Sequence, residues 1–502
     1  MADATGAPQN RTYWNETAQA PSSPRLAGDI EVDVAIIGGG IVGITTARLL
    51  KDRGLRVAVI EARRVGQQVT GKSTAKMSSQ HGLKYHTLEQ KFGEEKARLY
   101  AEAQETGIRR IGELARQYGI DADIETMPAY VYTLDESYVS QIEKEVEVAR
   151  RLGLPASLTR DTGLPFDVLA AMRWDGQAQF HPVKYVAGLA ATIPGEGSHV
   201  FEQSRAIDWD TDRVDTESGT VRARRVVMAT HLPLGQVGMY YSMAYPHAEA
   251  VIAAPIGRVP PGMYKNAEQP GRSIRSHGRN GQAYGIAAGA HFKPGHPDEE
   301  QQHMADLERW LTEQFQAGPV EYRWVNEDYT PMDGSPFVGW SSKLGEGYLV
   351  ATGFDAWGIS NGTAAAIIIA DLATDRENEW LPVFDATRVK PVAGAKEFAK
   401  ENLSVATHLV GGYLSRKPKS YDELEPGDAA IMKVDGDNVA AFKDEQGKVH
   451  AVSAVCTHMG CIVGWNATDR TWDCPCHGSR FELSGEVIHG PATKPLGSKV
   501  TG

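Results

Sequence analysis

The chain has only four cysteines in 502 residues, and all of them lie between Cys456 and Cys476. Scattered core cysteines do not cluster in this way; those of a metal or redox site do. Cys456-x-His458 and Cys474-x-x-His477 stand fifteen residues apart, so each of two loops offers one thiolate and one imidazole. Such a donor set could hold a single tetrahedral zinc. It could also hold a two-iron, two-sulfide cluster with both thiolates on one iron and both imidazoles on the other. Zinc fingers pair C-x-x-C with H-x-x-x-H, whereas each loop here mixes the two ligand types, which favours the cluster.

A second constellation sits near the N-terminus, in EVDVAIIGGGIVGITTARLLKDRGLRVAVIEA. An apolar run from Val32 to Ile37 predicts a buried strand, and Gly38, Gly40 and Gly43 follow at G-x-G-x-x-G spacing. A helix continues from there to a stop at Gly54, and a second strand ends at Glu61. This β-α-β unit is a dinucleotide-binding fingerprint: the turn and helix N-terminus take the pyrophosphate, with Ile41 and Val42 opening that helix. The acid Glu61, followed by Ala62 and Arg63, takes the ribose. There is a single such unit, and a flavoprotein fed by NAD(P)H carries a second, so FAD reduced by a small organic donor is the expected cofactor.

Residues 66–73, GQQVTGKS, also fit the phosphate loop G-x-x-x-x-G-K-[ST]. A triphosphatase loop must leave a buried strand directly, yet here the strand ends at Glu61 and the basic stretch ARRV intervenes. The segment is therefore read as part of the FAD cradle, and Lys72→Ala is expected to weaken FAD retention.

The blocks DVAIIGGGIVGITTARLL, GQAQFHPVKYVAGLA, RARRVVMATHLPL, TPMDGSPFVG and GYLVATGFDAWGISNG, in this order, resemble the glycine oxidase, sarcosine oxidase and D-amino-acid oxidase flavoproteins over about residues 30–385. The resemblance implies that Gly353, Phe354, Gly358, Ile359 and Gly362 line the flavin with Asp333 nearby, and that Ser73, Thr74 and Ala75 run past it. It implies oxidation of a C–N bond in a small amine or amino acid. Arg275 is the expected carboxylate anchor, Lys76 a candidate at the flavin's reactive edge, and His81, Tyr284 and His291 further candidates. Trp357 departs from the small or histidine-like residue common at its position, which puts transfer of substrate identity in doubt.

The C-terminal text CTHMGC and CPCHGS is similar to the Rieske [2Fe–2S] proteins of cytochrome bc complexes. That likeness implies Cys456, His458, Cys474 and His477 as ligands, a Cys461–Cys476 disulfide bracing the loops, and GPATKPL as a proline loop over the cluster. It also implies a Ser479 hydrogen bond to a cluster sulfide. Phe481 stands where high-potential members have tyrosine, so a potential below theirs is expected. Phe481→Tyr should raise it in a redox titration, and an unchanged potential contradicts the reading.

The elements that must position these residues are α/β plus all-β. A Rossmann-like FAD-binding domain interleaved with a sheet-based substrate domain is expected over 28–392, after an N-terminal extension 1–27 whose Tyr13-Trp14 pair could pack on the body. A linker (393–416) and a small Rieske β domain (417–502) follow. Net charge −12 excludes a nucleic-acid surface, and no apolar run approaches the roughly 18 residues of a membrane span. A cytoplasmic protein is expected, since residues 1–27 lack the apolar stretch of a secretory signal.

The implied activity is a dehydrogenase passing electrons from amine to FAD, to the cluster and on to an external acceptor, which could be a small protein, quinone or oxygen. The alternatives are a reductase or monooxygenase-like enzyme in which the cluster feeds the flavin, and a docking or sensing module without turnover.

Overall fold

The computed structural model describes residues 11–342, 347–388 and 420–499, so the expected linker lies outside the described residues. A short helix α1 (Tyr13–Thr17), capped by Thr12, is followed by β1 (Ile30–Ile37), α2 (Ile41–Asp52), β2 (Val57–Ile60) and the short helix α3 (Val69–Lys72). β1 runs parallel to β2, with Ile37 opposite Ile60, and parallel on its other side to Gly219–Met228, with Ile37 opposite Met228. Alternate residues serve two cores. Val34, Ile36, Val57 and Val59 join one cluster, while Ala35, Ile37, Ala58 and Ile60 join the other. A strand buried on both faces needs this continuous apolar run. The sheet continues outward through His199–Phe201 on one side, and through Arg213–Thr216 and Ala206–Asp210 on the other.

A second, eight-stranded sheet stands beside it. Its order is Tyr322–Pro331, Ala244–Pro255, Gln282–Phe292, Ser273–Arg279, Met263–Asn266, Ala129–Thr133, Ala170–Trp174 and Ala156–Thr159. One face packs on the helix Pro297–Phe315 through Ala248, Ala250, Ile252 and Ala287. The other, carrying Val251, Ala253, Ile286 and Ala288, turns toward the first domain. Two helices, Tyr85–Phe92 and Glu94–Gln117, follow one another and are separated where Gly93 adopts φ 87°.

Tyr13 and Trp14 are wholly buried. Tyr13 Oη lies 2.8 Å from His277 Nδ1, and Trp14 Nε1 donates to the Ser73 carbonyl at 2.8 Å, so this part of the N-terminal segment is built into the body.

The C-terminal region folds as two small antiparallel sheets. One contains Ala429–Val434, Asp437–Lys443 and Val449–Ser453; the other contains Gly464–Asn466, Thr471–Asp473, Arg480–Phe481 and Val487–His489. It sits directly on the oxidoreductase portion. The Gly295 and Gly464 backbones pass so close that a Cβ on Gly464 would lie 2.0 Å from the Gly295 oxygen. Tyr329 donates to the His477 carbonyl at 3.0 Å, and Thr468 N–H donates to Glu300 at 2.8 Å.

Lys72 belongs to this contact and not to the FAD cradle. Its buried ammonium is paired with Asp469, and Asp469 also accepts from Arg480 at 2.7 Å. Arg480 in turn faces Asp473 at 3.1 Å and Glu327 at 3.4 Å. This pairing gives replacement of Lys72 an expected effect other than loss of FAD retention. Lys72→Ala instead leaves part of a buried charge unpaired, which should cost about 3 kcal/mol, the low end for a broken buried pair because Arg480 still holds Asp469. Thermal unfolding at unchanged FAD content checks this; selective FAD loss with an unchanged melting temperature contradicts it.

Candidate active site

The C-terminal ends of β1 and β2 open onto a cleft holding about 1360 Å³ of atom-free space continuous with solvent. In open α/β sheets, ligands bind at this edge. α2 starts at the cleft with Gly40 as its N-cap; Gly40 offers no capping side chain and the first turn has no acid. Its unpaired N–H groups and positive end are left for an anion. The turn tolerates no side chain at Gly43, where a Cβ would lie 1.9 Å from the Gly38 oxygen. Thr70 Oγ1 accepts from Ile41 N–H at 3.1 Å, fixing α3 against the turn. Glu61 accepts from Gly39 N–H and Arg63 N–H, each at 2.7 Å, and burial raises its pKa. The helix end with no acid in its first turn, the bare glycine turn and the acid Glu61 together fit an FAD.

Of the residues expected at FAD, Gly38, Gly40, Ile41, Val42, Glu61, Ala62, Ser73, Phe354, Gly358 and Ile359 line the cleft. The others stand behind it. Gly43 and Gly362 give close packing, and a Cβ on Gly362 would meet Ile41 at 3.1 Å. Arg63 turns its guanidinium to Glu482. Thr74 Oγ1 accepts from Lys76 Nζ at 3.3 Å, and the Ala75 carbonyl accepts from Arg275 at 2.8 Å. Asp333 pairs with Arg388 at 2.8 Å, and Gly353 turns against Pro331 with φ 77°. The segment 66–73, read as part of the FAD cradle, supplies Gly66, Gln68, Val69, Thr70 and Ser73 to the wall, whereas Gly39, Arg205, His231, Asn326 and Asp328 were not singled out, nor was the part that Val487–His489, Gly490, Ala492 and Thr493 play.

At the other constellation, Cys456 and Cys474 are buried free thiols, and Cys461 is joined to Cys476 by a disulfide. The His458 and His477 rings lie 5.1 Å apart and nearly perpendicular. Both His458 ring nitrogens are buried without a well-formed hydrogen bond, although the Gly235 backbone is near. Buried polar atoms left without partners are costly unless a ligand takes them. Two thiols and two imidazoles converge here, and they fit a [2Fe–2S] cluster. Ser479 Oγ accepts from Ala492 N–H at 3.0 Å, holding the proline-loop segment over the site. The Tyr241 ring of the oxidoreductase portion packs 4.9 Å from His458 and 5.1 Å from His477, so the histidine side of the site faces inward.

The five candidates on the substrate side fare differently. Arg275, the expected substrate anchor, does not line the cleft. It is wholly buried with its guanidinium over the Trp14 ring, and it donates to the carbonyls of Ala75, Phe180 and Ser276. Burial lowers its pKa to about 9. Tyr284 donates to Glu321 at 2.9 Å and packs on Tyr13, away from the cleft. His81 is locked between Tyr100, 2.8 Å away, and Ser360, 2.9 Å away, and stacks on Trp357.

Lys76 lies 3.1 Å from Ser273 Oγ on the inward sheet face, and burial, with Lys265 and Arg275 beyond it, lowers its pKa to about 7. On the same sheet, His291 holds Glu249 at 2.7 Å and stacks on His247. Burial opposes ionisation of Glu249, but His291 overrides it and brings its pKa to about 2. Lys265 lies 5.6 Å from the Trp357 ring and makes no ion pair among the described residues.

The Lys76 shift has a stability consequence. Between pH 7 and its ordinary value of 10.5 the unfolded chain binds a proton there that the folded chain does not, so stability falls as pH drops through that window. Lys76→Met should therefore raise the melting temperature at pH 7 and give no gain above pH 10.5. Melts at the two pH values check this; equal shifts at both contradict it.

No helix among the described residues is long and apolar enough to cross a membrane. Residues 33–372 match the FAD dependent oxidoreductase family, and residues 418–499 match the Rieske [2Fe-2S] domain. The chain is 36% identical over 491 residues to YhfW of Bacillus subtilis (strain 168), a protein named for a Rieske 2Fe-2S iron-sulfur character, covering 97% of this chain and 96% of that one. Its fold resembles glycine oxidase from Geobacillus kaustophilus (TM-score 0.59, 20% identity, 72% of this chain and 99% of that one). It also resembles L-amino acid deaminase from Proteus myxofaciens (TM-score 0.60, 18% identity, 74% and 97%). The chain belongs to the FAD dependent oxidoreductase family and carries a C-terminal Rieske [2Fe-2S] domain.

Proposed function

We propose that the protein is a dehydrogenase that oxidises a C–N bond of a small amine or amino acid and delivers the electrons through the Rieske cluster to an external acceptor. The observation that carries this reading is the shared wall: His489, Gly490 and Ala492 of the Rieske domain line the cleft that Gly38, Gly40 and Glu61 prepare for FAD. When bound, FAD supplies a two-electron acceptor and the cluster a one-electron carrier. The likeness to an oxidase and a deaminase of amino acids supports the substrate class.

On the substrate side, the inward sheet face supplies the polar groups. Lys76 Nζ is largely without a proton above about pH 7, so it can take one from a substrate ammonium and leave the amine neutral for oxidation. Lys265, with no carboxylate paired to it among the described residues, takes the place first expected for Arg275 as anchor of a substrate carboxylate. Trp357 stacks on His81, with Lys265 5.6 Å from its ring.

The test is an anaerobic screen of amines with and without an α-carboxylate, monitored at the visible bands of flavin and cluster. Bleaching by amino acids, slower with carboxylate-free analogues, is expected. Equal rates would remove Lys265 from its role, and no bleaching by any amine would overturn the substrate class.

A further inference from the structure

Two histidines that neither constellation claims connect the cleft to the cluster loop. His231 and Asp328 of the oxidoreductase portion and His489 of the Rieske domain all line the cleft. His489 Nε2 lies 3.0 Å from His231 Nδ1, and His231 Nε2 lies 2.9 Å from Asp328 Oδ1. At the far end, His489 Nδ1 faces the carbonyl of Gly478 at 3.4 Å, and Gly478 directly follows His477.

Hydrogen-bond chemistry restricts the protons on this chain. Asp328 accepts from Tyr329 N–H and Ala356 N–H, each at 2.7 Å, which holds it as a carboxylate able only to accept. His231 therefore carries its proton at Nε2. If His231 is neutral, its bare Nδ1 must accept from His489 Nε2–H, which leaves a bare His489 Nδ1 against a carbonyl oxygen. One added proton resolves the mismatch: His231 donates from both nitrogens, and His489 changes tautomer and donates from Nδ1 to Gly478. The chain thus has two hydrogen-bonded states that differ by a single proton.

We propose that the His231–His489 pair is the proton acceptor for electron transfer between the flavin and the cluster, an inference that rests on the exchange proposed above. Returning the flavin to its oxidised form removes two electrons, which the cluster takes one at a time and passes to the external acceptor. A flavin reduced by hydride gives back, with those two electrons, the one proton the hydride brought, and that proton needs a base in the protein. That proton is taken at His231 Nδ1, which shares it with His489 Nε2; Asp328 stabilises the cation on His231, while burial, His231 and Arg480 push the His489 pKa down to about 3 and keep that ring neutral, and the proton leaves to water through the solvent-connected cleft. Because one imidazole comes from each domain, the relay is complete only while the Rieske domain is docked.

The experiment is flash photoreduction of the flavin in the holoenzyme, in H2O and D2O, following flavin absorbance and the EPR signal of the reduced cluster. Wild type should transfer more slowly in D2O. His231→Gln and His489→Gln keep a hydrogen-bonding amide but no basic nitrogen, and should slow the transfer at least about tenfold in the FAD-loaded fraction, with the cluster EPR line shape unchanged. Added imidazole should restore the rate in His489→Ala. Glutamine variants that keep both the wild-type rate and its isotope effect overturn the relay, as does an altered cluster line shape without imidazole rescue. Failure of the wild type to pass any electron between the centres overturns the exchange itself, a result distinguishable from failure of the relay.

Discussion

Cys474→Ser is expected to yield a protein that still bleaches its flavin with an amine but cannot pass the electrons on. Cys474 is one of two buried free thiols, and its loop also carries His477 and the disulfide partner Cys476. A serine hydroxyl is a poor substitute for a thiolate on iron, so the cluster should be lost or severely depleted. Acceptor-linked turnover should then fall by more than the roughly 10–100-fold that loss of an outer-shell partner costs at a metal site. Single-turnover flavin reduction should stay near the wild-type rate, because the residues assigned to the substrate lie on the inward sheet face. Anaerobic reduction and steady-state turnover, measured together, separate the two halves of the reaction. A variant that has lost its EPR signal yet keeps acceptor-linked turnover would make the Rieske domain a docking or sensing module.

Gly43→Ala is the corresponding test at the other cofactor. The added methyl carbon would lie 1.9 Å from the Gly38 oxygen, and the obstructing atom is backbone, so the glycine turn and α2 must move apart. Overpacking of this kind costs about 1–3 kcal/mol, and here the strain falls on the amides that face the pyrophosphate. If that cost falls on the bound state, FAD affinity should drop by roughly tenfold or more. The purified variant should be pale in the flavin region while its cluster spectrum stays intact. Full FAD occupancy would show that the turn is not the pyrophosphate site.

Sequence pattern carried local structure well and long-range pairing poorly. The β1–α2–β2 unit with Glu61 lies within about thirty consecutive residues, and its apolar run and glycine spacing are direct consequences of a strand buried on both faces and a close helix crossing. The two Cys-His loops were legible for a similar reason, since ligand spacing is local. Arg275 reads locally as a free anchor, but the carbonyls that take its Nη1 come from Ala75 and Phe180 and the ring beneath it from Trp14, and only its Nη2 is left buried without a hydrogen bond. Lys72 was misjudged because its partner, Asp469, lies 397 positions away in another domain. His231 and His489 stood within the segments RARRVVMATHLPL and GEVIHGPATKPL, yet nothing local to either reveals a partner 258 residues distant.

That cross-domain pairing explains why the docking of the two portions matters to the chemistry. The buried network of Lys72, Asp469, Arg480 and Glu327 fixes the orientation of the Rieske domain, and the same docking brings His489 to His231 and Tyr241 to the histidine ligands. The inward-facing histidine side suits a cluster that receives electrons from its own flavin.

The most direct test of the central claim is the order of events after rapid anaerobic mixing of oxidised holoenzyme with a substrate amine. The account predicts flavin bleaching first, then appearance of the reduced-cluster EPR signal as the flavin band partly recovers. A cluster that stays oxidised while the flavin remains bleached would contradict it, as would a pre-reduced cluster that reduces the flavin and cannot be refilled by the amine.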